Sequence, residues 1–456
     1  MQIIADLQLH SKYSRAVSQK MDLEEIARWS AKKGINLVAT GDWTHPLWFR
    51  EIKTSLKETS PGIFSLRDPS TSSGRVSSIV DETRFLLSTE ISSIYSQGGK
   101  VRRVHNLIFS PSIATCEKII KEFQHRGANL MSDGRPIVGI SSKNLMEMVL
   151  TIDKNALFIP AHVWTPWFSL YGSKSGFDSI EECFGELAKN IYAVETGLSS
   201  DPIMNWQIKE LENRSILSFS DAHSGPKLGR EATVFVNNSE FRIQNSEFTY
   251  QDISDAIKQN PRGKLKIGYT IEFFPEEGKY HWSGHRACGI KYNPQEVKEK
   301  GIICPVCRQN LTIGVENRVM DLSQNTLGPE DLSLVKNGSG VTFVYDKDKK
   351  RRPFVSFIPL LEFLTETNHG SQIKALRQYE QLMAGFASEF DILLKKSYEE
   401  IEKNAGLQLS QAIQIVRERK VFVDPGYDGV FGIVKIFQDE KAKIDEKKAE
   451  SQPSLF

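Results

Sequence analysis

Short apolar runs that end in polar residues recur along the first half of the chain. Residues 5–10 alternate apolar and polar side chains, which predicts a short strand. Gln8 and His10 point to the same side of this strand because they lie two residues apart. Further runs of strand type are residues 35–40, 85–90, 104–109, 156–162, 191–195 and 216–224.

A helix is predicted between the first two of these strands. Residues 21–33 carry an apolar stripe that includes Leu23 and Ile26, with Asp22 as a suitable N-cap and Gly34 as a suitable C-cap. A strand, a helix and a second strand in this order predict parallel strands. The carboxyl ends of parallel strands are where functional residues gather, so we expect a site at that edge.

Residues of the types that commonly bind metal ions lie in or directly after these apolar runs. They are His10, Asp42, Glu90, His105, His162, Asp221 and His223. A single histidine in an apolar run is more often a core residue. Burying this many carboxylates and imidazoles costs too much free energy unless a cation compensates them, which predicts a multinuclear metal centre. Adjacent metal ions favour the hydrolysis of a phosphate ester, and the sequence offers no convincing nucleophilic triad.

A second kind of metal site is predicted in residues 276–322. His285, Cys288, Cys304 and Cys307 form two pairs with two-residue spacing, which is typical of a structural Zn²⁺ ion. His281 is the alternative to His285. A module this small needs its metal to fold, and we expect it to contact DNA or another domain.

Composition narrows the class of protein. The chain has 456 residues, a formal net charge of +1 and five cysteines, and it contains no apolar run of about 18 residues. Its first residues do not form a charged stretch followed by an apolar one, so we expect no signal peptide. These features predict a cytoplasmic protein of two or three domains. Because the net charge is small, a DNA-binding surface has to come from local basic clusters, such as residues 100–103 and 347–352.

The order of the ligand-bearing motifs resembles the PHP family (polymerase and histidinol phosphatase). The motifs are Asp-Leu-x-x-His, Thr-Gly-Asp, a Glu, a His, Pro-Ala-His and Ser-Asp-Ala-His. The resemblance implies an α/β fold with a distorted (β/α)₇ barrel. Two or three Zn²⁺, Mn²⁺ or Mg²⁺ ions would be held by the seven residues given above, with Glu90 as the bridge. Gln8 replaces the first histidine of the family pattern, and His45 is a weaker candidate ligand.

Five longer motifs resemble endonuclease Q, a DNA-repair branch of this family. They are residues 10–16, 40–46, 129–136, 160–167 and 220–224. The resemblance implies cleavage of the phosphodiester 5′ to deaminated bases (uracil, hypoxanthine or xanthine) or abasic sites. Such an enzyme inspects a base outside the stack, and Ser132, Asp133, Trp164 and Trp167 are candidates for that pocket. Predicted DNA contacts are Lys12, Arg15, Arg102, Arg103, Arg135, Lys349, Lys350, Arg351 and Arg352.

The predicted organisation has five parts. They are a catalytic domain (1–235), a connecting segment (236–275), the zinc module (276–322), a helical C-terminal region (323–438) and a flexible tail (439–456). Residues 397–413 indicate a helix–hairpin–helix or an ordinary helical hairpin. The tail ends with Gln452, Leu455 and Phe456, a pattern that resembles the peptide by which bacterial proteins bind the DNA sliding clamp.

Two other functions remain open from the sequence. One is a PHP-type phosphatase that acts on a small phosphomonoester. The other is a non-catalytic DNA- and clamp-binding module, for which Gln8 is the only support. If the chain is an enzyme, Gln8 predicts that one metal position is weakened or filled differently, because an amide oxygen is a poorer zinc ligand than imidazole.

Overall fold

The protein was analysed as a computed structural model that describes residues 2–67, 83–238 and 247–436. The strands are β1 (Gln2–Asp6), β2 (Leu37–Ala39), β3 (Leu56–Ser60), β4 (Ile63–Leu66), β5 (Arg84–Gln97), β6 (Lys100–Ser110), β7 (Ile137–Val138), β8 (Leu157–Pro160), β9 (Ala193–Glu195), β10 (Ser215–Leu217), β11 (Ala232–Asn237), β12 (Leu265–Glu272), β13 (Ser283–His285), β14 (Ile290–Tyr292), β15 (Leu332–Lys336), β16 (Thr342–Asp346), β17 (Phe354–Ser356), β18 (Phe422–Asp424) and β19 (Ile433–Lys435).

The helices lie mainly between strands in the first half and follow one another in the second. They are α1 (Leu23–Lys33), α2 (Pro46–Ser55), α3 (Ile113–His125), α4 (Ser142–Ile152), α5 (Ile180–Phe184), α6 (Pro202–Trp206), α7 (Tyr250–Ile257), α8 (Pro294–Lys300), α9 (Val315–Leu322), α10 (Leu360–Thr367), α11 (Gln372–Gly385), α12 (Tyr398–Ala405) and α13 (Leu407–Arg417). No helix in the described ranges is both long and apolar enough to span a membrane.

The first helix forms as its sequence predicts. The side chain of Asp22 accepts a hydrogen bond from the backbone N–H of Glu25 at 2.9 Å and caps the start of α1. Gly34 ends the helix with a φ of 87°, in the left-handed region that glycine adopts without strain. Leu23 and Ile26 are buried on the inner face. The predicted caps and the apolar stripe are therefore confirmed.

A mixed sheet runs through the N-terminal half of the chain. β1 pairs in parallel with β2, which pairs in parallel with β5. β6 lies antiparallel to both β5 and β8, so β8 runs in the same direction as β5. The strands β9 and β10 pair in parallel and lie between β8 and β11. On the β8 side, the backbone N–H of Val163 donates to the Glu195 carbonyl at 3.1 Å. On the β11 side, the backbone N–H of Ser218 donates to Oγ1 of Thr233 at 3.1 Å.

The first strand begins and ends earlier than predicted, over residues 2–6 instead of 5–10. β1 ends at Asp6, so Gln8 and His10 lie in the extended segment after it, where Leu9 forms an isolated parallel bridge with Ala222. The Asp6 carboxylate accepts hydrogen bonds from the backbone N–H groups of Ser220 at 3.0 Å and Gly229 at 2.9 Å. These bonds attach the end of β1 to the segment after β10 in place of a continued strand ladder.

The region between the N-terminal half and the C-terminal helices contains more sheet than predicted. The connecting segment 236–275 contains α7 and β12, and β12 pairs antiparallel with β11 and parallel with β17. β15–β17 continue this sheet inside residues 323–438, which were predicted to be helical. The reason is the alternating run of β16, whose residues are alternately buried and half-buried. The helices α10–α13 follow this sheet, and the domain boundaries themselves stay predictions.

Candidate metal centre

The predicted ligands lie within the strands of the sheet or in the turns that directly follow them. Asp42 follows β2, His162 follows β8 and Asp221 follows β10, each with a left-handed backbone of φ 48°, 31° and 47° respectively. A non-glycine residue in this region is uncommon, and such residues cluster at functional sites. The turns therefore direct side chains of different strands into one place. Glu90 and His105 lie within β5 and β6.

One group of ligands consists of Glu90, His105 and His162, whose donor atoms all lie within 4.8 Å of one another. Oε1 of Glu90 is 2.6 Å from Nδ1 of His105 and 3.5 Å from Nε2 of His162. The two imidazole nitrogens are 3.1 Å apart. All three residues are buried or nearly so, and the second ring nitrogens of His105 and His162 bond to the hydroxyls of Ser92 and Ser169.

A second group consists of His10, Asp221 and His223. Nε2 of His10 is 3.2 Å from Oδ1 of Asp221 and 3.3 Å from Oε2 of Glu90. The ring of His223 stands edge-on to that of His10, with 5.0 Å between the centroids. Glu90 thus presents one carboxylate oxygen to each group, as expected for a bridging ligand.

Asp42 orients His10 and is itself fully hydrogen-bonded. Its Oδ1 lies 2.9 Å from Nδ1 of His10, and its Oδ2 accepts from the Ser11 backbone N–H at 2.6 Å and the Ser14 hydroxyl at 2.8 Å. A carboxylate on the second nitrogen of a ligand histidine fixes the ring and its tautomer. In this geometry Asp42 supports the centre through His10.

The two doubtful ligands occupy different positions. Gln8 lies in the centre, where Nε2 donates to Oε2 of Glu90 at 2.8 Å and Oε1 is buried without a hydrogen-bond partner in the described residues. His45 lies outside both ligand groups. It precedes α2 and stacks on Tyr13, with 4.5 Å between the ring centroids.

The pKa values reflect this crowding of charge. Burial lowers the pKa of His105 to about 4, against the attraction of Glu90. Burial alone would also lower the pKa of His10, but the carboxylates of Asp42, Asp221 and Glu90 raise it well above its ordinary value. Burial would raise the pKa of Glu90, yet Arg135, His105 and His10 hold it well below its usual range.

Glu195 is a supporting residue that the sequence reading missed. It ends β9, is fully buried and accepts the backbone N–H of His162 at 2.6 Å and that of Gly197 at 2.7 Å. Burial raises the pKa of Glu195 to about 7. The signal was present, because residues 191–195 end in a carboxylate as the other ligand-bearing strands do.

The predicted DNA contacts fall into separate places. Arg135 lies at the centre, with Nη1 3.2 Å from Oε1 of Glu90 and 3.5 Å from Nε2 of His10. Lys12 pairs with Glu51 at 3.0 Å, and Arg15 is largely exposed beside Asp133. These three residues lie on or next to the segment that carries His10.

Other predicted contacts are not gathered at the centre. Arg102 is buried and bonds to the carbonyl of Gly176 and, at 3.0 Å, to Glu182, which places its guanidinium in the interior. Arg103 lies 5.6 Å from the ring centre of Phe168, which contacts His105. Lys349, Lys350, Arg351 and Arg352 lie in the connection between β16 and β17.

The loop after His162 connects the centre to the zinc module. Trp164 is buried against Tyr171, whereas Trp167 is partly exposed and packs edge-on against Tyr280 at 5.5 Å. Of the candidate pocket residues, Ser132 is exposed, and Asp133 accepts from the backbone N–H of Arg135 at 3.1 Å.

The zinc module brings its four predicted ligands together. Donor atoms of His285, Cys288, Cys304 and Cys307 all lie within 4.8 Å of one another, and β13 and β14 form a small hairpin around the first pair. His281 is directed elsewhere, with Nε2 3.6 Å from Oε2 of Glu316. Three thiols and an imidazole fit one tetrahedral Zn²⁺ ion.

The donor set of the main centre also fits divalent ions. Four imidazoles and two carboxylates converge there, and His105 Nδ1 and His162 Nε2 face each other across 3.1 Å, where only one proton can lie between them. The unpaired Oε1 of Gln8 is a further oxygen donor in the same space. Histidine and carboxylate ligands of this kind suit Zn²⁺ and Mn²⁺.

No protein-family model matches the chain. It is 30% identical over 284 residues to the uncharacterized protein MJ0043 of Methanocaldococcus jannaschii. The aligned residues cover 61% of this chain and 32% of that protein. It is 28% identical over 447 residues to the uncharacterized protein YqxK of Bacillus subtilis, covering 95% of this chain and 99% of the relative. The chain therefore spans about a third of the first relative and nearly all of the second.

Two solved structures are similar over almost the whole chain. The lesion-specific endonuclease PfuEndoQ from Pyrococcus furiosus superposes with a TM-score of 0.77 at 27% identity, covering 98% of this chain and 99% of the other. The second structure is endonuclease Q in complex with a 27-mer duplex substrate with an abasic lesion at the active site. It superposes with a TM-score of 0.77 at 28% identity, covering 96% of this chain and 97% of the other. Together with the motifs and the metal-ligand geometry, these similarities show that the chain belongs to the endonuclease Q family.

Proposed function

We propose that this protein is a metal-dependent DNA-repair endonuclease that hydrolyses the phosphodiester 5′ to a deaminated base or an abasic site. The observation that carries the proposal is the pair of ligand groups joined by Glu90, in a chain that resembles endonuclease Q over nearly its full length. We further propose that the strands from β1 to β11 form the distorted (β/α)₇ barrel of the PHP family.

The residues of the centre would divide the work as follows. Glu90, His105 and His162 would hold one ion, and His10, Asp221 and His223 a second, with Glu90 shared. When bound, such ions lower the pKa of a coordinated water and neutralise charge on a phosphoryl oxygen. Asp42 holds the ring of His10, and Glu195 holds the backbone of His162, so both imidazoles are directed into the centre.

Arg135 is the residue best placed to bind the phosphate to be cleaved. Its guanidinium is partly exposed and lies beside Glu90 and His10, at the edge of both ligand groups. A guanidinium matches the geometry of a phosphate by donating two parallel hydrogen bonds. Arg135 would therefore hold the backbone of the strand, while Lys12, Arg15 and Arg103 would bind flanking phosphates.

The substrate class is proposed from similarity and chemistry together. One relative of known structure was captured with a duplex that carries an abasic lesion at the active site. A deaminated base differs from its parent at a pairing edge, so the enzyme has to read it outside the stack. Ser132, Asp133, Trp164 and Trp167 stay candidates for that pocket, with Trp167 the more accessible tryptophan.

The remaining parts would serve DNA binding and recruitment. The zinc module would hold one structural Zn²⁺, and its Tyr280 supports the loop that follows His162. The helical hairpin α12–α13 and residues Lys349, Lys350, Arg351 and Arg352 are proposed DNA contacts. The clamp-binding peptide with Gln452, Leu455 and Phe456 lies outside the described residues, as does the tail 439–456. We propose a cytoplasmic location, with association with the nucleoid during repair.

The proposal is tested with an end-labelled duplex that carries one deoxyuridine, one deoxyinosine or one abasic site. We expect a single cut 5′ to the lesion with Mn²⁺, Mg²⁺ or Zn²⁺ and none in the undamaged duplex. Asp221→Ala should abolish cutting and leave DNA binding largely intact, because it removes a metal ligand and no phosphate contact. Asp255→Ala, on α7, is the matched control and should cut normally.

Two outcomes would overturn the proposal. Phosphomonoesterase activity without cleavage of any lesion would instead assign a small-molecule phosphatase of the PHP family. Intact DNA with retained binding would assign a non-catalytic binding module. Undiminished cutting by the Asp221→Ala variant would refute the metal centre as the catalytic site.

A further inference from the structure

A second cleft lies at the opposite end of the strands from the metal centre. Its volume is about 390 Å³, and it lies between the start of β10, the end of β11, the start of β12 and the β16–β17 connection. Ser215 begins β10 and lines the cleft, whereas Asp221 follows the other end of that strand. Because β11 is antiparallel to β1, Asn238 also lies far from the segment that carries His10.

The charged residues that line this cleft are mostly cations. They are Arg214, Lys266, Lys350, Arg351, Arg352 and the single carboxylate Glu212. Lys266 and Arg352 form no ion pair and no side-chain hydrogen bond with any residue in the described ranges. Glu212 accepts a hydrogen bond from Asn325 at 3.3 Å. Lys350 pairs with Asp348, with 2.8 Å between Nζ and Oδ2. The other four cations of the cleft form no ion pair within the described residues, in a chain whose formal net charge is only +1.

The structure holds part of this cationic wall rigidly. Arg351 donates to the carbonyl of Trp206 at 3.2 Å, and its guanidinium lies 5.8 Å from the centre of the Trp206 ring. The backbone N–H of Arg351 bonds to the buried carboxylate of Asp346 at 2.6 Å. Arg214 is fixed by the carbonyl of Ile191 at 3.0 Å. These two fixed guanidinium groups add positive potential beside Lys266 and Arg352, whose side chains remain available to an anion.

The rest of the cleft offers a mixed surface. Pro202, Leu211, Ile216, Leu265 and Ile267 contribute apolar atoms. Gln259 and Asn260 contribute amides that can donate and accept hydrogen bonds. Its volume lies within the range of about 300–1,000 Å³ that is typical of small-molecule sites, which are mainly apolar with a few placed polar groups. An apolar surface next to amides and cations matches a ligand with a ring, a polar edge and a phosphate.

We propose that this cleft binds a nucleoside 5′-phosphate, with the phosphate at Lys266 and Arg352 and the base against the apolar surface. The same chemistry has two sources, a free mononucleotide and a nucleotide of a DNA strand. The proposal does not rest on the endonuclease activity, because the cleft and the metal centre lie at opposite ends of the strands. Binding is measured without cleavage, so the failure of one proposal does not affect the other.

The test is calorimetric titration of the full-length, metal-loaded protein with thymidine 5′-phosphate, thymidine, inorganic phosphate and a short single-stranded oligothymidylate. The variant Lys266→Ala/Arg352→Ala removes two cations that have no described partner, so it should fold normally. We expect it to lose at least tenfold in affinity for the nucleotide. The control Lys118→Ala/Lys121→Ala removes two exposed cations from α3 and should bind as the unmodified protein does.

Each outcome supports or overturns the proposal. Tight binding of thymidine 5′-phosphate that only the cleft variant loses assigns the free nucleotide. Binding of the oligonucleotide alone, with the same dependence on the variant, assigns a DNA strand as the source. The proposal is overturned if thymidine or inorganic phosphate alone binds as well as the nucleotide, or if the cleft variant and the control bind equally. A charge-reversed variant, Lys266→Glu, repeats the test if the double variant is unstable.

Discussion

At the scale of single residues, Gln8 contacts the carboxylate of Glu90 that both ligand groups share. Its amide nitrogen donates to Oε2 of Glu90, the oxygen that also lies 3.3 Å from Nε2 of His10. Its amide oxygen is buried without a hydrogen-bond partner in the described residues, which is costly unless another group uses it. Gln8 thus both restrains the bridging carboxylate and offers one neutral oxygen in place of an imidazole.

Replacing Gln8 with histidine should increase the metal content of the centre. Imidazole binds Zn²⁺ and Mn²⁺ more strongly than an amide oxygen does, and the side chain already lies among the ligands. We expect Gln8→His to retain more metal per chain after dialysis, measured by elemental analysis, and to cut as fast or faster. Gln19→His, at an exposed position, is the control. Equal metal content in all three proteins would contradict this role of Gln8.

At the scale of elements, α1 joins the N-terminal half to the C-terminal helices. Nζ of Lys33 is 2.7 Å from a carboxylate oxygen of Glu389, and both side chains are buried. Trp29 packs on Tyr379, with 5.8 Å between the centroids. Gly34 ends the helix against Ser388, where a Cβ would overlap the serine hydroxyl. One helix therefore determines how residues about 360–390 are attached.

Gly34→Ala should weaken that attachment. The substitution forces alanine into a left-handed backbone and into Ser388, and we expect a loss of about 2–4 kcal/mol in the free energy of unfolding. Gly370→Ala is a matched control, because Gly370 also has a left-handed backbone, with a φ of 81°, and no atom lies within 4 Å of the position that a Cβ would take. The control should lose only about 1 kcal/mol in the free energy of unfolding, measured for both variants by urea denaturation. Equal losses would mean that the contact with Ser388 adds nothing.

The zinc module is the second element with its own test. Four donor atoms within 4.8 Å of one another suit one Zn²⁺ ion, and so small a unit has little core of its own. We expect Cys307→Ser to lower the zinc content by about one ion per chain and to expose residues 280–313 to proteolysis. Val306→Ala changes a neighbouring exposed side chain and should do neither. Normal zinc content in Cys307→Ser would refute the ligand assignment.

At the scale of the whole molecule, several buried carboxyls lie where β11 and β12 meet the C-terminal half. Burial, together with the nearby carboxylates of Asp201 and Glu195, raises the pKa of Glu272 to about 8. Burial also raises the pKa of Glu276, to about 7. Arg419 reaches this region from the loop after α13 and bonds to the Ser356 hydroxyl. The junction is therefore most stable when these carboxyls are protonated.

The stability of the protein should consequently fall as the pH rises from about 5 to 8. Glu272 binds a proton more tightly in the folded state than in the unfolded state, so folding loses free energy as this proton leaves. We expect Glu272→Gln, which stays neutral, to reduce this fall by a few kcal/mol in thermal melts at a series of pH values. Glu24→Gln, at an exposed position, should follow the unmodified protein. Parallel pH profiles for Glu272→Gln and the unmodified protein would contradict the assignment.

The sequence by itself determined the parts of the protein that depend on local pattern. Strand periodicity, helix caps and two-residue ligand spacing are visible in short windows, so the candidate ligands from His10 to His223 and the four candidate zinc ligands could be predicted from the sequence alone. Only the tertiary structure decided which of these residues meet. It divided the ligands into two groups around Glu90, gave Asp42 a supporting role and buried Arg102. It also joined β12 to β17 and formed the basic cleft from segments more than a hundred residues apart, because such contacts depend on packing between distant elements that no local pattern encodes.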